Sequence, residues 1–268
     1  MLTSSLLGLV VGLILALTGA GGGILAVPLL VFGTGIGVAE AGPIGLLAVG
    51  LAAALGAVLG LRAGLVRYRA ALLIAAAGML LSPAGLWVAR LADARWLGLL
   101  FALVLLYVAV KTYRQAAGSA QAQGPEQMRV CVRGALTGRF DWTRPCARAL
   151  ALSGALAGFL SGLLGVGGGF VMVPALQRYT DLPVKSALAT SLAVIAIISV
   201  TGVGAAAAQG ALDWQRAAPF AAGALAGMLG GRLIAARVAG PKLQKGFAIV
   251  SALVAFGMIG KALLEFFA

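Results

Sequence analysis

Two runs of glycine carry most of the chemistry this chain could offer. One holds Gly19, Gly21, Gly22, Gly23, Val27 and Pro28, and the other Gly165, Gly167, Gly168, Gly169, Val173 and Pro174. Both read Gly-x-Gly-Gly-Gly-x-x-x-Val-Pro, at an offset of 146 residues. Glycine permits positive φ and lets a ligand come close to main-chain N–H groups. Consecutive glycines are poor helix material, and a proline four to five residues later suits an early turn of a helix that restarts. A half-helix beginning just after Gly23 or Gly169 would point unsatisfied N–H groups, and the positive end of its dipole, at the break. The expected chemistry is anion binding by backbone, with Gly21, Gly22, Gly23, Gly167, Gly168 and Gly169 as candidate substrate-binding residues. Close helix packing is the competing reading of glycine in apolar segments. It is the better account of Gly223, Gly227 and Gly231, which recur every four residues.

Few other polar groups lie in apolar stretches. Thr18, Ser161, Thr190, Ser191, Ser199 and Thr201 offer hydroxyls, although helical Ser and Thr commonly bond back to their own helix. Glu40 and Lys185 read as interfacial loop charges, and Arg232, two turns from a helix end, can snorkel. Tyr68 and Trp214 occupy matching places after the second full span of each half and read as interfacial anchors. The chain has no His and no Asn, and its seven acidic residues are scattered. Zinc chemistry and His-based acid–base catalysis therefore have nothing to build on. No enzyme activity, metal or cofactor is expected. Cys131 and Cys146 fall in the central polar stretch and are expected to be ordinary reduced thiols of a cytoplasmic loop.

The elements that must position these groups are membrane helices. Apolar residues make up 62% of the chain and charged residues 10%, far from the soluble norm. Eight apolar segments are expected: 2–33, 43–61, 70–89, 96–112, 148–177, 184–208, 217–238 and 243–267. Most have the length that crosses a hydrocarbon core. The alternating ten-residue strands of a barrel are missing, so the fold class is an all-α polytopic membrane protein. The net charge of +13 comes from Lys and Arg in short connections, which resemble a positive-inside signal more than a nucleic-acid surface. The N-terminal run resembles a signal peptide but lacks a positive first region, and its pattern returns at 154–166, so it is expected to belong to the mature fold.

The 146-residue offset also pairs Gly8 with Gly154, Gly12 with Gly158, Gly56 with Gly202, Gly85 with Gly231 and Phe101 with Phe247. The chain thus divides into membrane repeat 1 (1–112), a linker (113–147) and membrane repeat 2 (148–268), each repeat with four segments. The first segment of each is about 30 residues with glycines in its middle, too long for one straight span. Irregular backbone at that depth must be buried in protein or line a cavity. Either the segment crosses once as a broken helix and the halves are parallel, or it is a re-entrant hairpin and the halves are inverted. Parallel halves would place 12 of the 20 Lys and Arg residues inside, and inverted halves 16 of 20. The positive-inside rule favours inversion, with a cytoplasmic linker. In a membrane, paired broken helices of this kind mark a binding site at the repeat interface.

At this point the residues resemble a known family, the TauE/SafE sulfite exporters. The resemblance covers nearly the whole chain except the linker. It rests on the segments Gly19 to Pro28 and Gly165 to Pro174. It rests also on Lys185-Ser186-Ala187-Leu188-Ala189-Thr190-Ser191-Leu192, similar to an Ala-x-x-Thr-Ser-Leu pattern, and on Gly210-Ala211-Leu212-Asp213-Trp214. The resemblance implies a permease of the bacterial inner membrane that moves sulfite, sulfoacetate or other organosulfonates outward. Thr190 and Ser191 join the candidate substrate-binding residues. One departure matters: the matching positions in the first half are Ile44 and Gly45, so these hydroxyls come from one repeat only.

The expected function is a secondary transporter exporting small sulfur-containing anions. The expected partners are that small anionic substrate, the lipid bilayer and a second copy in a homodimer, with no nucleic acid. An uptake permease or a passive anion channel would use the same architecture. A membrane-embedded assembly or structural protein is the reading from another class, and it would call for larger soluble surfaces than this chain has.

Overall fold

The computed structural model describes residues 2–19, 21–91, 93–117, 130–131, 142–210, 212–238 and 241–267. Glycine and proline punctuate the apolar sequence into α1 (Leu2–Thr18), α2 (Gly21–Thr34), α3 (Val38–Arg62), α4 (Tyr68–Leu91) and α5 (Ala94–Ala117). The second half repeats the order as α6 (Arg144–Leu164), α7 (Gly169–Tyr179), α8 (Val184–Ala208), α9 (Trp214–Val238) and α10 (Pro241–Phe267). No strand forms among the described residues beyond an isolated bridge between Cys131 and Thr180. Helices α3 and α8 are each 25 residues long and begin and end at the same repeat offset. Among the described residues, five helices, α3, α4, α5, α6 and α8, contain spans long and apolar enough to cross a membrane. The all-α polytopic class follows.

Several helices run slightly past the expected segments, and internal prolines do not end them. Pro43, Pro83 and Pro219 lie inside α3, α4 and α9. Each removes one backbone donor, which the surrounding packing tolerates. The linker narrows for the same kind of reason. Helix α5 extends to Ala117, and Thr143 caps α6 by accepting a hydrogen bond from the Cys146 N–H at 3.3 Å, with Pro145 in the first turn.

The opening segment of each half folds back on itself. Gly22 packs on Val11 and Leu15, and Gly33 packs on Leu7, so α2 returns along α1. In the second half Gly168 packs on Ala157, and the end of α7 lies beside the start of α6. Helices α2 and α7 have 14 and 11 residues. At about 1.5 Å per residue neither reaches the ~30 Å of a hydrocarbon core.

Helix α1 lies on α9, α6 on α4, α3 on α8 and α5 on α10. Exchanging the repeats maps this set of pairs onto itself. Gly8 and Gly12 meet the backbone of Phe220 and Ala224, while Gly231 meets Leu13 and Ala16, so α1 and α9 run parallel. Gly154 against Ile74 and Gly162 against Ser82 and Leu86 give the same sense to α6 and α4. Gly60 meets Ala189, Gly50 meets Ser199 and Gly202 meets Leu46, so α3 and α8 run antiparallel. Along α1–α9 and α4–α6 a Cβ would overlap a carbonyl oxygen of the facing helix, as at Gly8, Gly158, Gly223 and Gly227. Small residues there allow backbones to touch, the main source of association between helices in lipid. Leu80, Leu152, Val200 and Leu233 point outward and are exposed, as a lipid-facing surface requires.

The cysteines correct one expectation. Cys131 and Cys146 form a disulfide with Cα atoms 5.0 Å apart, and both are fully buried. They are not separate ordinary thiols. Cys146 sits in the first turn of α6. The Cys131 N–H donates to the Tyr179 carbonyl, and the Cys131 carbonyl accepts from the Asp181 N–H. The bond therefore joins the two ends of the α6–α7 hairpin. The hairpin's return brings the sulfurs together, which residue spacing does not show.

Candidate functional site

Each hairpin tip is a break between two helices. Helix α6 ends at Gly165, which has φ of 68° and whose N–H donates to the Ser161 carbonyl at 2.9 Å. Helix α7 then starts from Gly168, with φ of 63°, and Gly167 between them has φ of 78°. Three left-handed residues in four turn the chain back within a few ångströms. A side chain at Gly168 would be strained and would also overlap the Ala157 carbonyl. In the first half Gly19, with φ of 71°, marks the corresponding turn, and Gly21 opens α2.

The two breaks meet between α3 and α8. A Cβ on Gly23 would lie 2.7 Å from the Val166 carbonyl oxygen, and one on Gly165 would lie 2.6 Å from Gly42 Cα. Gly19 rests against Leu188, the repeat mate of Gly42, and Gly167 rests against Ile195, Leu46 and Ser199. Gly22, Gly23, Gly167, Gly168 and Gly169 are buried. The N-termini of α2 and α7 thus open into one region. The first four N–H groups of a helix have no intrahelical acceptor, so this region concentrates donors and partial positive charge.

On α8, Ser191 lies beside the first break and Thr190 beside the α3–α4 connection, and both are fully buried. Their hydroxyls have protein partners. Thr190 Oγ1 accepts from the Arg67 N–H at 3.1 Å, in the connection before α4. Ser191 Oγ is within donating distance of the Gly19 carbonyl at 3.2 Å and of the Leu188 carbonyl at 2.8 Å. Thr190 fixes the α3–α4 connection, and Ser191 fixes the first break to α8. Thr18 and Thr201 bond back to Ile14 and Ile198, each at 2.8 Å. Ser161 and Ser199 differ, being 1% and 2% exposed with no hydrogen-bond partner among the described residues. Their repeat mates are Leu15 and Ala53. That asymmetry was the available signal, and it does not stand out among the other mismatched positions of the two halves.

Of the charged groups, Arg67 adjoins Thr190 and has a buried Nε without a partner among the described residues. Arg232 on α9 donates through Nη1 to the Gly56 carbonyl of α3 at 3.2 Å rather than reaching only for the interface. Glu40 and Arg216, at the starts of α3 and α9, approach to 3.8 Å and are exposed. Tyr68 and Trp214 are exposed at the starts of α4 and α9, as interfacial anchors would be.

The family described as sulfite exporter TauE/SafE matches residues 4–258. A relative from Xylella fastidiosa (strain 9a5c), named "Probable membrane transporter protein", is 32% identical over 95% of this chain and 93% of its own length. Another from Xylella fastidiosa (strain Temecula1 / ATCC 700964), with the same name, is 30% identical over the same shares. "Probable membrane transporter protein YunE" of Bacillus subtilis is 41% identical over 30% of this chain and 29% of its own. No solved structure gives a significant match. The long apolar helices and these relatives make it a multi-pass protein of the transporter class, at home in a bacterial inner membrane. Two glycine breaks facing each other across α3 and α8, the repeat that builds them and the match over nearly its whole length place this chain in the TauE/SafE sulfite exporter family.

Proposed function

We propose that this chain exports small sulfur-containing anions, sulfite or compact organosulfonates, through a single site where the two breaks meet. The observation that carries the reading is the contact between Gly23 and the Val166 carbonyl. It sets two helix N-termini against one buried region, and backbone donors there favour a compact oxyanion over a cation or neutral molecule. Gly21 to Gly23 and Gly167 to Gly169 supply the donors. Thr190 and Ser191 hold the walls through their bonds to Arg67 and Gly19. The protein moves its substrate without chemical change.

Transport also needs a site open to each side in turn, and an inverted repeat supplies two near-equivalent states. The antiparallel sense of α3 and α8 and the two hairpins support inverted halves. Hairpins entering from opposite faces put the ends of the chain on one side and the linker on the other. The 16-to-4 division of Lys and Arg favours the linker side as cytoplasmic.

The test is counterflow in liposomes holding the purified protein, with labelled sulfoacetate inside and competitors outside. Sulfite and taurine are expected to compete. An isosteric neutral sulfonamide is expected to leave the flux unchanged, and equal competition by it would sink the anion reading.

A further inference from the structure

We propose that Ser199 and Ser161 are the side-chain donors to the bound oxyanion, so that the site is one-sided and centred on the second break. This rests on the anion-transport reading and says which residues complete that site. The helices of this chain supply their own control. Thr18, Thr34, Ser153, Thr180 and Thr201 all return their hydroxyls to a carbonyl of the preceding turn. Ser199 and Ser161 are also buried and do not. A buried hydroxyl without a partner is costly, and a site that binds oxygen atoms gives it one.

Position supports the assignment. Ser199 Oγ lies 3.7 Å from where a Cβ on Gly167 would stand and 3.2 Å from one on Gly50, so it sits between the second break and α3. Gly50 of α3 makes room for it, since a Cβ there would come within 2.7 Å of Ser199 Cβ. Ser161 stands one turn before Gly165, whose N–H its carbonyl accepts. Its repeat mate Leu15 packs on Gly22 at the first tip. In the first repeat Leu15 and Ala53 replace the two serines, so these two partnerless hydroxyls belong to the second repeat. Thr190 and Ser191, with partners already, act as positioning residues.

The experiment uses the full chain in detergent and in liposomes, with sulfoacetate, sulfite and sulfate as probes. It compares Ser199→Ala, Ser161→Ala and the double variant with the wild type. Ser251→Ala is the reference, since Ser251 is a third buried hydroxyl without a partner but sits on α10, which packs on α5. The half-saturating concentration in counterflow is expected to rise at least about tenfold in Ser199→Ala and further in the double variant. Thermal stability without anion is expected to hold or rise, because a partnerless hydroxyl has been removed, while stabilisation by added anion is lost. Ser251→Ala should leave the half-saturating concentration unchanged. Half-saturation within twofold of the wild type in the double variant overturns the proposal. So does a fall in anion-free stability, which would mark a structural role. If the wild type neither transports nor is stabilised by any of the three probes, the anion reading fails and this assignment falls with it. Wild-type transport with an unaltered double variant defeats this assignment alone.

Discussion

Gly23 and Gly204 make the simplest contrast between residues. A methyl group on Gly23 would press on the Val166 carbonyl at 2.7 Å, where backbone meets backbone and neither side can yield. A methyl group on Gly204 would meet nothing within 4 Å. Gly23→Ala is expected to push the two breaks apart and lower transport at least about tenfold, equivalent to roughly 1.4 kcal/mol. Gly204→Ala is expected to have no effect. Initial flux per inserted protein is the measurement, and normal flux from Gly23→Ala would separate the breaks from function. At this scale the sequence was informative about glycine and poor on hydroxyls. Six Ser and Thr residues stood out as polar groups in apolar segments. Which were already bonded to backbone depended on the helix turned toward each, as with Ser191 and the distant Gly19.

Helix pairs α1–α9 and α4–α6 hold together through glycine, and the two repeats do this alike. Gly8 and Gly12 on α1 face α9, while their mates Gly154 and Gly158 on α6 face α4. A leucine at Gly12 or Gly158 would displace the facing helix, because a Cβ already overlaps the carbonyl of Ala224 or Gly78. Both substitutions are expected to lower the melting temperature in detergent by similar amounts, at a cost of at least about 1–3 kcal/mol. A drop confined to one repeat would show that the equivalence of contacts is not one of energy. The periodic Gly223, Gly227 and Gly231 were readable as packing glycines from spacing alone. Their partners, Ser5, Leu9 and Leu13 across 200 residues of chain, were not.

For the whole molecule, orientation and the cysteine pair can be examined together. The distribution of Lys and Arg favours a cytoplasmic linker end in the proposed orientation, and Cys131 and Cys146 are bonded there. That orientation predicts a pair that is reduced in growing cells and closes on oxidation into the bond seen here, stapling the start of α6 to the end of α7. Intact cells treated with an impermeant reductant and then an impermeant maleimide should show no label on either cysteine. In the same cells Ala268→Cys, beyond the described residues, should label. Labelled native cysteines with an unlabelled C-terminus would reverse the orientation.

The membrane class, the positions of both breaks and the family were legible in the sequence because each depends on local composition or on a fixed offset. Glycine clusters disrupt a helix wherever it packs, and an apolar span needs lipid whatever its neighbours. Tertiary structure decided what depends on which segments return to meet. It folded the opening segments into hairpins, brought Gly23 to Val166 and Cys131 to Cys146, and gave Thr190 and Ser191 backbone partners while leaving Ser161 and Ser199 without. A hydroxyl's role follows from the nearest unbonded group in space. In this chain that group lies on another helix, often in the other repeat.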